Sequence, residues 1–331
     1  MIRNLFKWLL IPVVILVIIF SRYSLNISVA AIQFIFSLTP EVTDTKRFEE
    51  VKSRLITKKD LTYTSSLANN TADIYYPKKE GNYPVVFWVH GGAYVASSKE
   101  SVEEYASNLA DSAQVAVISM NYQLAPDSPY PGQLIQTSEM AEYFIEHAEE
   151  FPMLDFSQLF FAGDSAGAQI AAQYLVTQTN LEYGKQLGIK PLLTPEQLKG
   201  ALLFCGPYEI SQLRDTTDKS FFAKFLYQTV AQALIGKKDW QNEPQVEEAA
   251  ISQHVTADFP PSFITDGNLM TFTDQGKSLV NRLNELGVET RSLFFEDKPK
   301  LGHEYQFDFT TDEALEAFDD VLSFIQQHRH E

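Results

Sequence analysis

One cysteine, Cys205, occurs in 331 residues. An intrachain disulfide is therefore excluded, and no Cys/His spacing of a metal site is present. Basic residues are scarce as well: 26 Lys and Arg stand against 43 Asp and Glu, for a formal net charge of −17. Nucleic-acid binding needs basic patches, so that class of function is set aside. The chain has no internal repeats and no low-complexity segment. Long apolar runs are absent too, with one exception. Trp8 to Phe20 is almost purely apolar, and Trp8 to Ser21 carries no charge. The run is slightly short of the ~20 residues of a full membrane span, and Arg22 can snorkel to the far interface. Arg3 and Lys7 precede it, while Ser21-Arg22-Tyr23 matches a small-residue cleavage site poorly. Residues 1–22 thus read as a retained single-pass anchor, with an uncleaved or cleaved signal as the other reading. They carry +3 and the remainder carries −20. Two basic residues before the run and one after favour a C-terminal part outside the cytoplasm.

What is present is the composition of a folded protein, 45% apolar and 21% charged, long enough for one large α/β domain and an appendage. Residues 23–60 form a connector. Leu25 to Leu38 is apolar, broken by Ser28 and Gln33, and fits an interfacial helix, a helix capping a site or, less well, a second span. Pro40 ends it, and Glu41 to Ile56 has the apolar spacing of a connecting helix. From Leu61 to the C-terminus strands and helices alternate. Strands are expected at 61–67, 72–76, 84–89, 115–120, 158–161, 201–205, 262–265 and 290–295. Helices are expected at 100–113, 132–150, 168–176, 274–286 and 311–327. Such alternation calls for a mostly parallel sheet with helices on both faces. Residues 207–252 are mostly helical and interrupt the alternation, as an inserted lid would.

One stretch carries chemistry. Gly163-Asp164-Ser165-Ala166-Gly167 fits G-x-S-x-G between a buried strand and an Ala-rich helix. A strand turning sharply into a helix lifts a serine Oγ clear of the sheet, with the positive helix end behind it. A serine hydroxyl needs a base. Of six histidines, His303 follows the last strand, where loops at the carboxyl ends of strands converge. His90-Gly91-Gly92-Ala93 follows the expected strand 84–89. Glycines there let backbone N–H groups approach a substrate oxygen, so Gly91 and Gly92, with the N–H of Ala166, are expected to form an oxyanion hole.

With these motifs, together with Tyr122-Gln123-Leu124-Ala125-Pro126 and Gly302-His303, the chain resembles the α/β-hydrolase fold esterases similar to hormone-sensitive lipase, over roughly Leu61 to the C-terminus. The resemblance implies an α/β-hydrolase architecture, a mostly parallel central sheet with helices on both faces and a helical lid. It implies hydrolysis of carboxylic esters by a serine nucleophile, without cofactor or metal. A small-molecule ester is the expected partner, with the membrane reached through the N-terminal run and no nucleic acid. Two other readings stay open: an amidase or peptidase with the same triad, and a catalytically inert binding module of the same fold. The oligomeric state has no signature in the sequence.

One position departs from the family pattern. Laying Phe263-Ile264-Thr265-Asp266-Gly267 over it puts Met270 where the acid of the triad belongs. Asp266, at the catalytic end of a strand, is the preferred substitute. Asp274, at a helix start, and Glu209, after the preceding strand, are the alternatives. Phe221, Phe222, Phe225, Leu226 and Tyr227 in the lid region are candidates for an acyl pocket or for the lid's own core.

Overall fold

A computed structural model describes residues 24–38, 42–215, 221–298 and 300–329. Eight strands build one sheet: β1 (Leu55–Thr62), β2 (Thr71–Pro77), β3 (Tyr83–Val89), β4 (Ala116–Met120), β5 (Leu154–Asp164), β6 (Leu198–Phe204), β7 (Ser262–Asp266) and β8 (Thr290–Phe294). Their order across the sheet is β1-β2-β4-β3-β5-β6-β7-β8. β1 and β2 pair antiparallel, as do β2 and β4, and every later pairing is parallel. This is the mostly parallel sheet that the alternation predicts and the α/β-hydrolase architecture that the resemblance implies.

Helices cover both faces. In chain order they are α1 (Leu25–Phe36), α2 (Thr45–Lys52), α3 (Glu103–Ala113), α4 (Gly132–Glu146), α5 (Ala166–Thr179), α6 (Leu181–Gln186), α7 (Phe221–Ile235), α8 (Pro244–Glu248), α9 (Ile251–His254), α10 (Thr273–Glu285) and α11 (Asp312–His328). β3 is buried along its whole length because helices lie above and below it. Alternate residues therefore feed two cores. Phe87 packs on Phe161 and Phe144 on one face, and Trp88 stacks on Phe204 at 5.5 Å between centroids on the other. Burying each such side chain contributes about 1.5–3 kcal/mol.

The first strand corrects the sequence reading. It runs 55–62, not 61–67, and the helix expected over 41–56 is the shorter α2. Ile56-Thr57-Lys58-Lys59-Asp60 is charged because β1 is an edge strand. Lys59 Nζ reaches Asp73 at 2.9 Å and Glu103 at 2.8 Å, and charge on an edge opposes pairing with another chain. Two helices also end differently: α3 begins at Glu103 after a 3₁₀ turn over 99–102, and α4 ends at Glu146 before a second such turn.

The segment between β6 and β7 holds α7, α8 and α9, so the interruption of the alternation is helical as expected. α1 has 12 residues and packs on α7. It is too short to span a bilayer, and among the described residues no helix is long and apolar enough to cross a membrane. The apolar run Trp8 to Phe20, on which the single-pass anchor was read, lies outside the described residues.

Candidate active site

β3, β5, β6 and β7 run parallel, so their carboxyl ends open onto the same edge of the sheet. Ser165 follows β5 and precedes α5. Its backbone is left-handed, with φ +49°. A non-glycine residue there costs on the order of 1–3 kcal/mol and persists only when the surroundings dictate it. The Ser165 N–H donates to the Phe204 carbonyl at 2.8 Å. A Cβ on Gly167 would overlap the Val89 carbonyl, and one on Gly163 would overlap the Gly167 carbonyl. The spacing of the motif is thus a packing requirement as well as a turn. Ser165 makes no side-chain capping bond to α5. Its Oγ instead meets His303 Nε2 at 2.8 Å.

His303 sits in the loop after β8. Asn268 and Leu269 donate their N–H groups to the Leu301 carbonyl at 2.7 and 2.9 Å, and His303 N–H donates to the Leu269 carbonyl at 3.0 Å. The loops after β7 and β8 are thereby joined backbone to backbone. The ring stands edge-on to Phe272. Behind it, Asp266 Oδ1 lies 3.7 Å from Nδ1, a little beyond hydrogen-bond length, and among the described residues Nδ1 has no other partner. Such contacts are often long in a resting site and shorten when a substrate is bound. The carboxylate is buried and held by two amides, Gly267 N–H to Oδ1 and Phe272 N–H to Oδ2, both 2.7 Å. Burial by itself depresses the His303 imidazole, but Asp266, Glu304 and Asp164 outweigh it, and its pKa ends above the ordinary value.

The other acids lie elsewhere. Asp274 is exposed in the first turn of α10. Glu209 is buried and accepts the Ser252 N–H at 3.1 Å; burial raises its pKa. Met270, at the position the family gives to an acid, is partly exposed in a left-handed turn.

The glycine loop requires a correction. The Gly91 N–H donates to Asp164 Oδ2 at 2.8 Å and is not free for a substrate oxygen. The next two amides, of Gly92 and Ala93, make no hydrogen bond among the described residues. Ala166 is the first residue of α5, whose N–H has no partner within the helix. Among the described residues the amides left without a partner in this loop are thus those of Gly92 and Ala93, one residue along from the expected pair. His90 is no competing base. It is buried, stacks on Tyr122 and faces the Gly91 carbonyl through Nδ1 at 2.6 Å, and burial pulls its pKa down to about 4.

A cavity of about 390 Å³ opens at Ser165. Phe222, Leu226 and Tyr227 from α7 line it with Met270, Phe272 and, from α1, Phe36. Phe221 is exposed instead, and Phe225 packs against the core. A second cavity of about 480 Å³ meets the first at Phe36, His303 and Glu304. α1 thus forms a wall of both, as the capping reading of Leu25 to Leu38 requires, and Gln33 fixes it to the glycine loop by donating to the Val95 carbonyl at 2.8 Å. Among the described residues one trio of possible metal ligands clusters, Cys205, Asp266 and His303. It consists of the histidine, the acid and a thiol whose pKa burial and the nearby Asp266 push well up. A thiol kept protonated is a poor ligand.

Sequence reasoning missed Ala93, Phe36 and Glu304. Ala93 was accessible, since the residue after two glycines in such a loop still offers its amide. Phe36 and Glu304 carry no local signal; only the fold brings them to Ser165.

The alpha/beta hydrolase fold family matches residues 86–306. A protein of Acanthamoeba polyphaga mimivirus carrying the name of an alpha/beta hydrolase is 25% identical over 265 residues, covering 78% of this chain and 73% of its own. An esterase of Fusarium pseudograminearum is 26% identical over 212 residues, 62% of this chain. The chain spans 61% of that esterase's length. Among solved structures, esterase B from Lactobacillus rhamnosus superposes with a TM-score of 0.76 at 20% identity, over 92% of this chain and 96% of that one.

Proposed function

Because the chain belongs to the alpha/beta hydrolase fold family, we propose that it is a serine carboxylesterase in which Ser165 is the nucleophile, His303 the base and Asp266 the acid. The observation that carries this reading is the 2.8 Å contact of Ser165 Oγ with His303 Nε2 at the mouth of an apolar cavity. The esterase name of the Fusarium relative supports the leaving-group class. Ser165 Oγ attacks the ester carbonyl and passes its proton to Nε2. The oxyanion is met by the amides of Gly92, Ala93 and Ala166. The tetrahedral intermediate collapses, the C–O bond to the alcohol breaks, and His303 returns the proton to the leaving oxygen. Water, deprotonated by His303, then releases the acid from the acyl-enzyme. Asp266 holds the Nδ1–H tautomer and offsets the imidazolium charge.

The apolar cavity suits a short to medium acyl chain, and the insertion between β6 and β7, whose α7 lines the cavity, acts as its lid. Nitrophenyl esters of increasing chain length, with the matching anilides, test this. The expected result is ester hydrolysis with an optimum at short to medium chains and anilide turnover at least a hundredfold slower. Comparable anilide turnover assigns an amidase, and no turnover of either assigns a binding module. The apolar run Trp8 to Phe20 behind Arg3 and Lys7 supports a single-pass tether with the catalytic domain outside the cytoplasm. Retention with membranes through a high-salt wash tests it, and full-length protein in the soluble fraction would contradict it.

A further inference from the structure

Eight large apolar side chains are exposed among the described residues. Two of them stand apart: Ile56 on the edge strand β1, and Leu181 beyond the end of α5 farthest from Ser165. The other six gather on three segments. Ile27, Phe34 and Leu38 are 45%, 52% and 64% exposed, on α1 and the turn that follows it. Phe221 opens α7, and Leu269 and Met270 lie in the loop after β7. The three segments meet at the cavity beside Ser165, whose wall includes Phe36 of α1, Phe222 of α7 and Leu269 and Met270 themselves. α1 also packs directly on α7. Single exposed apolar residues are ordinary, but a group of them around the mouth of a cavity marks an interaction surface.

α1 is built for two apolar neighbours. Leu25 to Phe36 contains no Asp, Glu, Lys, Arg or His. Val29 and Ile32 are buried in the core, which accounts for one face. Ile27, Ala30 and Phe34 follow at spacings of three and four, so they share a stripe, and Leu38 continues it in the turn beyond; all four are exposed. A helix on the surface of a globular protein ordinarily turns charged residues outward. Here the outward stripe is apolar, in a chain of net charge −17. The preceding sequence indicates what lies against it. Trp8 to Phe20 is the one long apolar run, and only Ser21, Arg22 and Tyr23 separate it from Ser24, the residue before α1. Four steps of extended chain reach at most ~14 Å. A run that enters the hydrocarbon of a bilayer therefore holds the start of α1 close to the headgroup layer, which is itself roughly 5–8 Å thick. α1 has no Lys or Arg to pair with an anionic headgroup, so the attraction is to acyl chains and not to lipid charge.

We propose that this face docks on a lipid bilayer. The outer stripe of α1, with Phe221, Leu269 and Met270, lies in the boundary between headgroups and acyl chains, and the cavity at Ser165 opens onto it. The substrate class that follows is an ester whose acyl chain is dissolved in the membrane, which reaches Ser165 between α1, α7 and the loop after β7 without crossing water. The inference goes beyond the tether proposed above; it rests on that tether for proximity to the bilayer and on the esterase reading for the substrate.

Quenching measurements on the full chain, reconstituted into phosphatidylcholine vesicles, test the docking. The native Cys205 is buried, so a fluorophore goes to the new thiol in Ile27→Cys, Phe34→Cys and Leu38→Cys, with Asp319→Cys, exposed on α11, as the control. Nitroxide-bearing lipid should quench the three α1 labels and not the control, and iodide should quench them at least about threefold less than the control. Adding anionic lipid should change neither result. Phe34→Ser combined with Leu38→Ser should lower turnover of a long-chain ester carried in the vesicles by about tenfold and leave turnover of a water-soluble nitrophenyl ester within about twofold. If the protein floats with the vesicles while iodide quenches the α1 labels as fully as the control, the docking is refuted and the tether stands. Labels shielded from iodide yet silent to nitroxide lipid would show a second copy or the chain's own apolar run on the stripe, which also refutes it. A protein that does not float with the vesicles refutes tether and docking together. Equal loss on both esters in the double variant refutes delivery from the membrane. A wild type that hydrolyses neither ester overturns the esterase reading and the substrate class, while the quenching still decides the docking.

Discussion

The nucleophile elbow and the acid loop lie on the same edge of one sheet, yet they are built on different principles. The elbow is determined by exclusion. Gly163 and Gly167 stand where any side chain would strike backbone, and Ser165 is forced into its left-handed conformation. The acid loop, residues 266–272, is determined by hydrogen bonds. Asp266 collects two backbone amides, and Asn268 and Leu269 lean on the Leu301 carbonyl. Steric exclusion writes itself into a sequence as obligatory glycines at fixed spacing. A loop held by backbone bonds tolerates many side chains, so it can lose an acid at one position and supply it from another. Met270 stands where the family places an acid, while Asp266, at the end of β7, stands 3.7 Å from the imidazole Nδ1.

The comparison sharpens into measurements. Replacing the nucleophile should be the most severe change: Ser165→Ala is expected to lower kcat on the order of 10⁶-fold with an unchanged melting temperature. Activity within tenfold of wild type would remove the elbow from the chemistry. On the other side of the comparison, Asp266→Asn should cost about 10⁴ in kcat, because the imidazole then takes the wrong tautomer. Asp274→Asn and Glu209→Gln, made in parallel, should leave kcat within about threefold. A large loss in either would assign the acid to that residue and not to Asp266.

Smaller effects should appear in the pH profile. The base acts when neutral, so kcat/KM should rise with pH through the His303 pKa, which lies above the ordinary 6.5. The raising groups are Asp266, Glu304 and Asp164, so Asp266→Asn should shift that midpoint to lower pH in whatever activity remains. An unshifted midpoint would mean that Asp266 does not face the imidazole. Asp274, in the first turn of α10, should contribute a few tenths of a kcal/mol to stability through the positive helix end. Asp274→Asn should lower the melting temperature slightly and leave the pH profile in place.

Legibility followed the same division. The parallel sheet, Ser165, His303 and the helical insertion could be read in advance because alternation of apolar runs and glycine spacing are local signals. β1 was misplaced because an edge strand rich in lysine has the composition of a solvated helix. The glycine loop differs from the expectation at Gly91, whose amide is not free. Its two glycines are visible in sequence, but the buried Asp164 that takes up the Gly91 amide acts from 73 residues away. Glu304 was invisible for a related reason: nothing around it predicts a glutamate in a left-handed turn at the wall of both cavities. Contacts between loops from different strands are properties of the fold, and single-sequence patterns do not record them.

In the proposed reaction His303 activates Ser165 for attack on a carbonyl. That activation is tested most directly by fluorophosphonate labelling followed by intact mass and peptide mapping of the wild type, Ser165→Ala and His303→Ala. Expected are a single adduct on Ser165 in the wild type, none in Ser165→Ala, and labelling slowed at least a hundredfold in His303→Ala. An adduct that persists in Ser165→Ala, or a wild type that takes no label, would contradict it.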